Sequence, residues 1–230
     1  KQQMGTAQRA VVIGGGYIGL EAAAVLRQHG IAVDVLEAED RILKRVAAPQ
    51  LSAFYTRIHA EHGVQIHLQK SVARLEGHNG AVAQVVCQDG SSFAADLVIV
   101  GIGVLPNVEL AQQTGLQVEH GICIDQYGRT SDSRIVAAGD VVQYFNQHYQ
   151  RVVRVESIPN ANDQAKIAAS TLCGGSEALE SLPWFWSDQY DLKLQIAGLS
   201  QGYDQVYVRG DLDSGRSIAI FYYQQGRMIA

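Results

Sequence analysis

Short apolar runs alternate with longer amphipathic stretches over the first third of the chain, after a polar lead-in at residues 1–8. The runs predict β-strands at residues 10–13, 32–36 and 64–68, because they are short, apolar and rich in β-branched side chains. Between them, helical periodicity predicts α-helices at residues 17–29 and 49–61. Strands that alternate with helices in this way are typical of a parallel sheet.

The pattern then changes to closely spaced strand-like segments at residues 72–75, 81–87 and 92–94. Turn signals at residues 78–80 and 89–90 separate these segments. They predict an antiparallel excursion inserted into the α/β unit.

A second group of elements follows. The apolar run at residues 97–100 predicts a buried central strand, which ends at the glycine-rich segment 101–106. Further on, the pattern predicts a short helix at 108–113, strands at 122–125 and 135–138, and a long helix at 159–172. After residue 182, alternation at 194–197, 205–209 and 217–223 predicts a separate antiparallel sheet.

Composition excludes several classes of protein. Apolar residues make up 47% of the 230 residues and charged residues 18%, so the chain is able to bury a core. The net charge of −5 lacks the basic footprint of a nucleic-acid binder. No apolar run approaches the roughly 20 residues that a membrane span requires, so we expect no membrane partner.

Cysteine and histidine usage argues against a disulfide framework and a metal site. The three cysteines are widely spaced and form no CxxC pair, which favours a reducing, cytoplasmic setting. Among the seven histidines, only His59 and His62 are closely spaced, and we expect both on a solvated surface.

The strongest chemical motif is GGGYIG at residues 14–19, a GxGxxG pattern between a predicted strand and a predicted helix. In that context Gly14 permits a tight turn, Gly16 lets the backbone approach a pyrophosphate, and Gly19 lets helix and strand pack closely. A glycine-rich turn without a ligand is the structural alternative.

Glu37 ends the second predicted strand about 20 residues after the glycines, where a carboxylate accepts hydrogen bonds from an adenosine ribose. It also repels a 2′-phosphate, which favours NAD over NADP. However, Arg41, Lys44 and Arg45 follow closely and could form a phosphate clamp.

Four segments carry a resemblance to a known family. Residues 14–21 resemble the NAD-binding segment of flavoprotein reductases that bind two dinucleotides, and residues 129–141 resemble their second FAD-binding segment. ESIPNA at 156–161, with Gln164, and WFWSDQ at 184–189 narrow the match. Together they resemble the bacterial ferredoxin and rubredoxin reductases of oxygenase systems, within the pyridine nucleotide-disulfide oxidoreductase-like flavoproteins.

The resemblance implies a fold and a division of the chain. Residues 1–105 would be a Rossmann-like NAD-binding domain with a parallel sheet and a β-excursion. Residues 106–182 would be the C-terminal half of an α/β FAD-binding domain, and residues 183–230 would begin an α+β reductase domain. Family members also carry an N-terminal FAD-binding unit with its own GxGxxG, so we expect this chain to be a fragment.

The resemblance also implies roles for particular residues. Asp140 would accept a ribitol hydroxyl of FAD, and the helix that begins near Pro159 would point its positive end at the flavin. Glu21 would lie close to the nicotinamide carboxamide, and Trp186, with Trp184 as the competing assignment, would lie beside the flavin. The implied cofactor contacts are Gly14, Gly16, Tyr17, Ile18, Gly19, Glu37, Arg45, Gly101, Ile102, Gly103, Gly139, Asp140, Ser157, Ile158 and Trp186.

The implied activity is electron transfer from NADH through FAD to an iron–sulfur ferredoxin or to a rubredoxin. The alternatives are an NAD-binding module without catalysis and an NADH-dependent disulfide reductase or oxidase. We expect the isolated chain to bind NADH weakly, to retain no FAD and to self-associate through an uncovered apolar sheet surface.

Overall fold

The computed structural model describes residues 5–230, so residues 1–4 of the predicted lead-in lie outside the described residues. The described residues divide into two units. The first comprises the residues up to Gly103 together with Ser187–Leu194 and Ser200–Ala230, and the second comprises Val104–Trp186 and Gln195–Leu199. The division into 1–105, 106–182 and 183–230 remains a prediction.

A parallel sheet with helical crossovers forms the centre of the first unit. Its elements in chain order are β1 (Arg9–Ile13), α1 (Tyr17–Gln28), β2 (Ala32–Leu36), α2 (Pro49–Glu61) and β3 (Gln65–His67). An antiparallel excursion follows, made of β4 (Val72–His78), β5 (Ala81–Cys87) and β6 (Ser92–Ala94). The chain then returns as β7 (Leu97–Val100), and the sheet order is β3-β2-β1-β7 with all neighbours parallel.

Both faces of the parallel sheet are covered, which explains its continuous apolar runs. Along β1, Val12 packs with Ala23 and Leu26 of α1 in one buried cluster. The neighbouring residue Val11 points to the other cluster, which contains Val85 of the excursion. The predicted parallel sheet and antiparallel excursion are therefore confirmed.

The residues after Trp184 form further strands: β11 (Trp184–Gln189), β12 (Leu192–Ala197), β13 (Gln205–Arg209), β14 (Ala219–Gln224) and β15 (Arg227–Met228). Strands β11 and β12 form a two-stranded sheet, and β13, β14 and β15 form an antiparallel one. Within the first unit, Leu192, Leu212 and Ile220 pack against a buried cluster that contains Phe54 and Ile58 of α2. The C-terminal residues therefore share a core with the Rossmann-like part.

The second unit contains α3 (Glu109–Gln113), β8 (Ile122–Ile124), β9 (Val142–Asn146), β10 (Arg151–Val153) and α4 (Ile158–Leu172). Strand β8 lies parallel to β9, and β10 is antiparallel to β9. The strand predicted at residues 135–138 is wrong, since only Val136 makes an isolated bridge, to Arg129. The backbone of this segment bonds elsewhere: Ile135 N–H donates to the Asp132 carbonyl in a turn, and Ala137 N–H donates to the Gly128 carbonyl nine residues earlier.

Among residues 5–230, no helix is both long enough and apolar enough to cross a bilayer. The same residues contain no group of three or more His, Cys, Asp or Glu side chains arranged to hold a metal ion.

Candidate dinucleotide-binding site

The turn between β1 and α1 requires glycine at two positions. Gly14 has a φ of +106°, and a Cβ atom there would lie 2.4 Å from the Gly101 carbonyl oxygen. A Cβ atom on Gly19 would lie 2.0 Å from the Gly14 carbonyl oxygen. The helix therefore approaches its preceding strand as closely as the glycine pattern predicts, and the end of β7 approaches the same turn.

Gly16 is glycine for a different reason. It is the N-cap of α1 in an extended conformation, with φ −80° and ψ 179°, and a Cβ atom there would have no heavy atom within 4 Å. Among residues 5–230, no side chain caps this helix, so its first-turn N–H groups lack a side-chain acceptor. Such a helix end accommodates a phosphate group. Ile18, next to it, is 68% exposed.

Glu37 reaches from the end of β2 to the glycine turn. Its Oε2 accepts the Gly15 N–H at 2.6 Å, and its Oε1 accepts the Glu39 N–H at 2.9 Å. Each carboxylate oxygen keeps a further lone pair, so the group is still able to accept ribose hydroxyls. The carboxylate is therefore held in place before any ligand binds, which the sequence did not reveal.

The three basic residues after Glu37 have different environments. Arg41 donates to the Ser52 hydroxyl at 2.7 Å and to the Lys44 carbonyl at 3.1 Å. Lys44 is paired with Glu39 at 2.9 Å and with Asp40 at 3.2 Å, and these hydrogen bonds raise its pKa. A 2′-phosphate would have to compete with these partners, so the arrangement offers little support for a clamp formed by Arg41 and Lys44.

Arg45 is exposed and lies near the loop after β7. Its Nη2 lies 3.4 Å from the Ile102 carbonyl oxygen, so its side chain spans from the loop after β2 to the loop after β7. The glycine turn is bonded to both loops, through Leu43 N–H to the Gly15 carbonyl and Gly101 N–H to the Ile13 carbonyl. A guanidinium in this position fits a pyrophosphate.

The loop after β7 presents little side-chain bulk. Gly101 and Gly103 flank Ile102, whose side chain is 60% exposed, and Gly103 has a φ of +105°. A Cβ atom on Gly103 would meet none of the described residues beyond its chain neighbours within 4 Å, and the contact of this loop with a nicotinamide stays a prediction.

Glu21 and Tyr17 lie on the first turns of α1 and have different surroundings. Glu21 is half-buried, and its Oε1 accepts the Ser187 hydroxyl at 2.6 Å. The Tyr17 ring packs against the cluster that contains Leu20 and Leu51, and burial raises its pKa. The packing alternative for Tyr17 therefore has direct support, while its contact with a nicotinamide stays a prediction.

In the second unit, a buried amide pair joins the Gly139 turn to the start of α4. Gln164, 2% exposed, accepts the Gly139 N–H at 2.7 Å through Oε1. Its Nε2 faces the Asn160 Oδ1 at 3.5 Å, and Asn160 Nδ2 donates to the Val155 carbonyl at 3.0 Å. This places the exposed Asp140 on a turn that is fixed relative to the helix N-terminus.

The first turn of α4 is capped by a side chain and contains Pro159. Ser157 is the N-cap, and its hydroxyl accepts the Asn160 N–H at 3.3 Å. Ile158, at the first helical position, is 62% exposed. An exposed carboxylate and a helix N-terminus on one fixed scaffold suit a polyhydroxy chain and an electron-rich ring edge, so the residues fit part of an FAD site.

The two tryptophans of the WFWSDQ segment contact each other in the second unit, with ring centroids 5.3 Å apart. Trp184 is 39% exposed and Trp186 is half-buried. Which of them lies beside a flavin stays a prediction.

The sequence reasoning was wrong about His59 and missed two other polar residues. His59 is fully buried, not on a solvated surface, because that face of α2 packs under Gln189 and Tyr190. Ser187 and Gln189 are also fully buried. The signal for these two was their alternate spacing on one strand, which places both side chains on the same face.

The strand order, the glycine turn and the acid at the end of β2 define a Rossmann-type dinucleotide-binding protein. Comparison with known families gives a more specific identification. Residues 1–165 match the pyridine nucleotide-disulphide oxidoreductase family, and residues 184–230 match the reductase C-terminal family. The chain belongs to the pyridine nucleotide-disulphide oxidoreductase family.

Individual relatives agree with this assignment. Putidaredoxin reductase of Pseudomonas putida is 46% identical over an alignment that covers 100% of this chain and 55% of that protein. A ferredoxin–NAD(P)(+) reductase of Sphingomonas is 44% identical over 96% of this chain and 54% of that protein. A crystal structure of the covalent putidaredoxin reductase–putidaredoxin complex matches with a TM-score of 0.93 and 47% identity, over 96% of this chain and 54% of that one. The chain thus spans about half the length of the curated relatives it matches.

Proposed function

We propose that this chain supplies the NADH-binding site and part of the FAD-binding site of a flavoprotein reductase that delivers electrons to a ferredoxin or a rubredoxin. The observation that carries the proposal is the glycine turn with Glu37 fixed against its Gly15 N–H. The names of the relatives and the match of residues 184–230 to a reductase C-terminal family support this acceptor class over a disulfide substrate.

The order of strands in the first unit sets a direction for the nucleotide. Glu37 at the end of β2 would hold the adenosine ribose, and the α1 N-terminus beside β1 would hold the pyrophosphate. Since β7 is the next strand in the sheet, the nicotinamide would lie by Gly101, Ile102 and Gly103. Arg45 would neutralise the pyrophosphate from the open side.

The residues of the chain would bind and orient rather than carry out proton chemistry. Glu21 would accept the carboxamide N–H of the nicotinamide, and the small loop after β7 would leave one face of the ring accessible. In the second unit, Asp140 would accept a ribitol hydroxyl, and the N-terminus of α4 would favour negative charge at the ring edge. Bound FAD supplies the conversion of two-electron to one-electron transfer.

A test of the nucleotide assignment is Glu37→Gln. Glutamine keeps the length and one oxygen for the Gly15 N–H, but it removes the negative charge that repels a 2′-phosphate. We expect the dissociation constant of NADPH, divided by that of NADH, to fall by about tenfold, as measured by calorimetry at fixed ionic strength.

Glu61→Gln is the matched control, because it removes an exposed charge at the end of α2 that is paired with Arg57 and leaves the basic residues after Glu37 unchanged. It should change the ratio much less. An unchanged ratio in Glu37→Gln, or an equal change in both variants, would count against Glu37 as the ribose ligand.

Asp140→Ala tests the FAD assignment. In a reductase that includes this chain and binds FAD, loss of the ribitol acceptor should weaken FAD binding by about tenfold, measured by flavin fluorescence on titration. Glu180→Ala removes an exposed carboxylate from the same unit and should leave the affinity unchanged. Equal FAD affinity in wild type and Asp140→Ala would contradict the assignment.

A further inference from the structure

Four hydrogen bonds connect Glu21 to Tyr190 through side chains that the glycine motif does not include. Ser187 Oγ donates to Glu21 Oε1 at 2.6 Å, and Gln189 Nε2 donates to Ser187 Oγ at 3.0 Å. Gln189 Oε1 lies 2.8 Å from His59 Nε2, and the Tyr190 hydroxyl lies 3.0 Å from His59 Nδ1. All five residues belong to the first unit. We call this set the Glu21 relay.

The partners fix the direction of every hydrogen bond in the Glu21 relay. The Gln189 carbonyl only accepts, so His59 carries its proton on Nε2 and accepts the Tyr190 hydroxyl on Nδ1. The Gln189 amide then donates to Ser187, which leaves the serine proton for Glu21. Each group donates toward the Glu21 carboxylate, the only member that must accept.

Burial makes this arrangement rigid. Ser187, Gln189 and His59 are each 0% exposed, so a broken hydrogen bond would leave a polar atom away from water. Burial lowers the pKa of His59, which keeps the ring neutral, and raises the pKa of Tyr190 to about 12. An amide does not pass protons along such a chain, so the relay fixes an orientation and does not conduct.

The Glu21 relay ends at the Glu21 carboxylate, which is half-buried. In the part of the chain that the structure describes, Glu21 Oε2 has no hydrogen-bond partner, while Oε1 is held by Ser187. The carboxylate therefore has one fixed oxygen and one available acceptor.

We propose that Ser187, Gln189 and His59 are positioning residues that hold the Glu21 carboxylate so that its second oxygen meets the nicotinamide end of NADH. This inference rests on the proposed NADH site. It assigns a function in nucleotide binding to the C-terminal strand β11, beyond the Rossmann-like part.

The test compares two ligands that differ at the nicotinamide end. ADP-ribose has the adenosine, pyrophosphate and second ribose of NADH but lacks the nicotinamide. We expect Ser187→Ala in the full chain to raise the dissociation constant of NADH by about tenfold and to leave that of ADP-ribose unchanged, measured by calorimetry. A purely structural role would weaken both ligands equally.

Further variants distinguish the loss of Glu21 positioning from a general loss of stability. Gln189→Leu, which touches Glu21 only through Ser187, should show the same selective loss, and Ser187→Thr, which keeps the hydroxyl, should restore most of it. Ser92→Ala removes an exposed serine hydroxyl from β6 and should change neither constant. In a Glu21→Ala background, Ser187→Ala should have no further effect on NADH.

Two results would overturn the inference and leave the proposed function standing: an unchanged ratio of the NADH and ADP-ribose constants in Ser187→Ala, or additive losses in the double variant. Absence of binding of both ligands to the unaltered chain would overturn the proposed NADH site and this inference together.

Discussion

Gly16→Ala should leave the fold of the protein intact and weaken NADH binding by about 100-fold. The backbone at Gly16 is extended, with φ −80°, a conformation that alanine adopts without strain, and the added Cβ would meet no protein atom within 4 Å. The same open space is where a pyrophosphate would approach the α1 N-terminus. A methyl group there would push the phosphates away from the N–H groups that bind them. Calorimetric titration with NADH measures the effect.

Gly19→Ala is the matched comparison, with the same substitution three residues further on. Its Cβ would lie 2.0 Å from the Gly14 carbonyl oxygen, so the helix would have to move. We expect a loss of roughly 2–3 kcal/mol or more in the free energy of unfolding, measured with urea. Equal loss of unfolding free energy in both variants would mean that Gly16 is needed for folding. Normal NADH affinity in Gly16→Ala would mean that the turn is not part of the NADH site.

The difference between these glycines shows what a sequence is able to reveal. The GxGxxG pattern after a strand correctly predicted the turn between β1 and α1. The turn and the packing of α1 on β1 involve residues that are close in sequence, so the spacing of the glycines is enough to predict them. The approach of Gly101 to Gly14 was not predictable in the same way, since it joins the ends of two strands that are distant in sequence.

Glu37 and His59 show which properties of a residue the sequence predicts and which it does not. Glu37 was found because its place at the end of β2 is a local property, yet its hydrogen bond to Gly15 is visible only in the structure. His59 was placed on the surface because α2 looks polar near its end. The residues that bury it, Gln189 and Tyr190, lie about 130 positions away, and pairing over that distance leaves no periodic signal in the sequence.

The missed strand β9 has a related cause. Residues 142–146 contain the apolar residues Val142, Tyr144 and Phe145 between polar amides, and the pattern predicted a strand only before them, at 135–138. In the structure the backbone of residues 135–137 bonds to residues 128–132, and the strand begins after the Gly139–Asp140 pair.

Ile58→Ala should destabilise the Rossmann-like part and the C-terminal strands together. Ile58 on α2 is fully buried in the cluster against which Leu192, Leu212 and Ile220 pack. Removing three methyl or methylene groups from such a site costs about 2–5 kcal/mol in the free energy of unfolding. Ile58→Val should cost about 0.5–1.5 kcal/mol. Val25→Ala, at a 46% exposed position on α1, should cost almost nothing.

Hydrogen exchange measures which helices and strands are destabilised by Ile58→Ala. If α2 and the C-terminal residues share one core, the amides of β14 should lose protection in Ile58→Ala to the same extent as those of α2. Loss of protection in α2 alone would mean that the C-terminal strands fold on their own. The first outcome also bears on the Glu21 relay, because Tyr190, the relay residue that follows β11, packs against the same apolar cluster as α2.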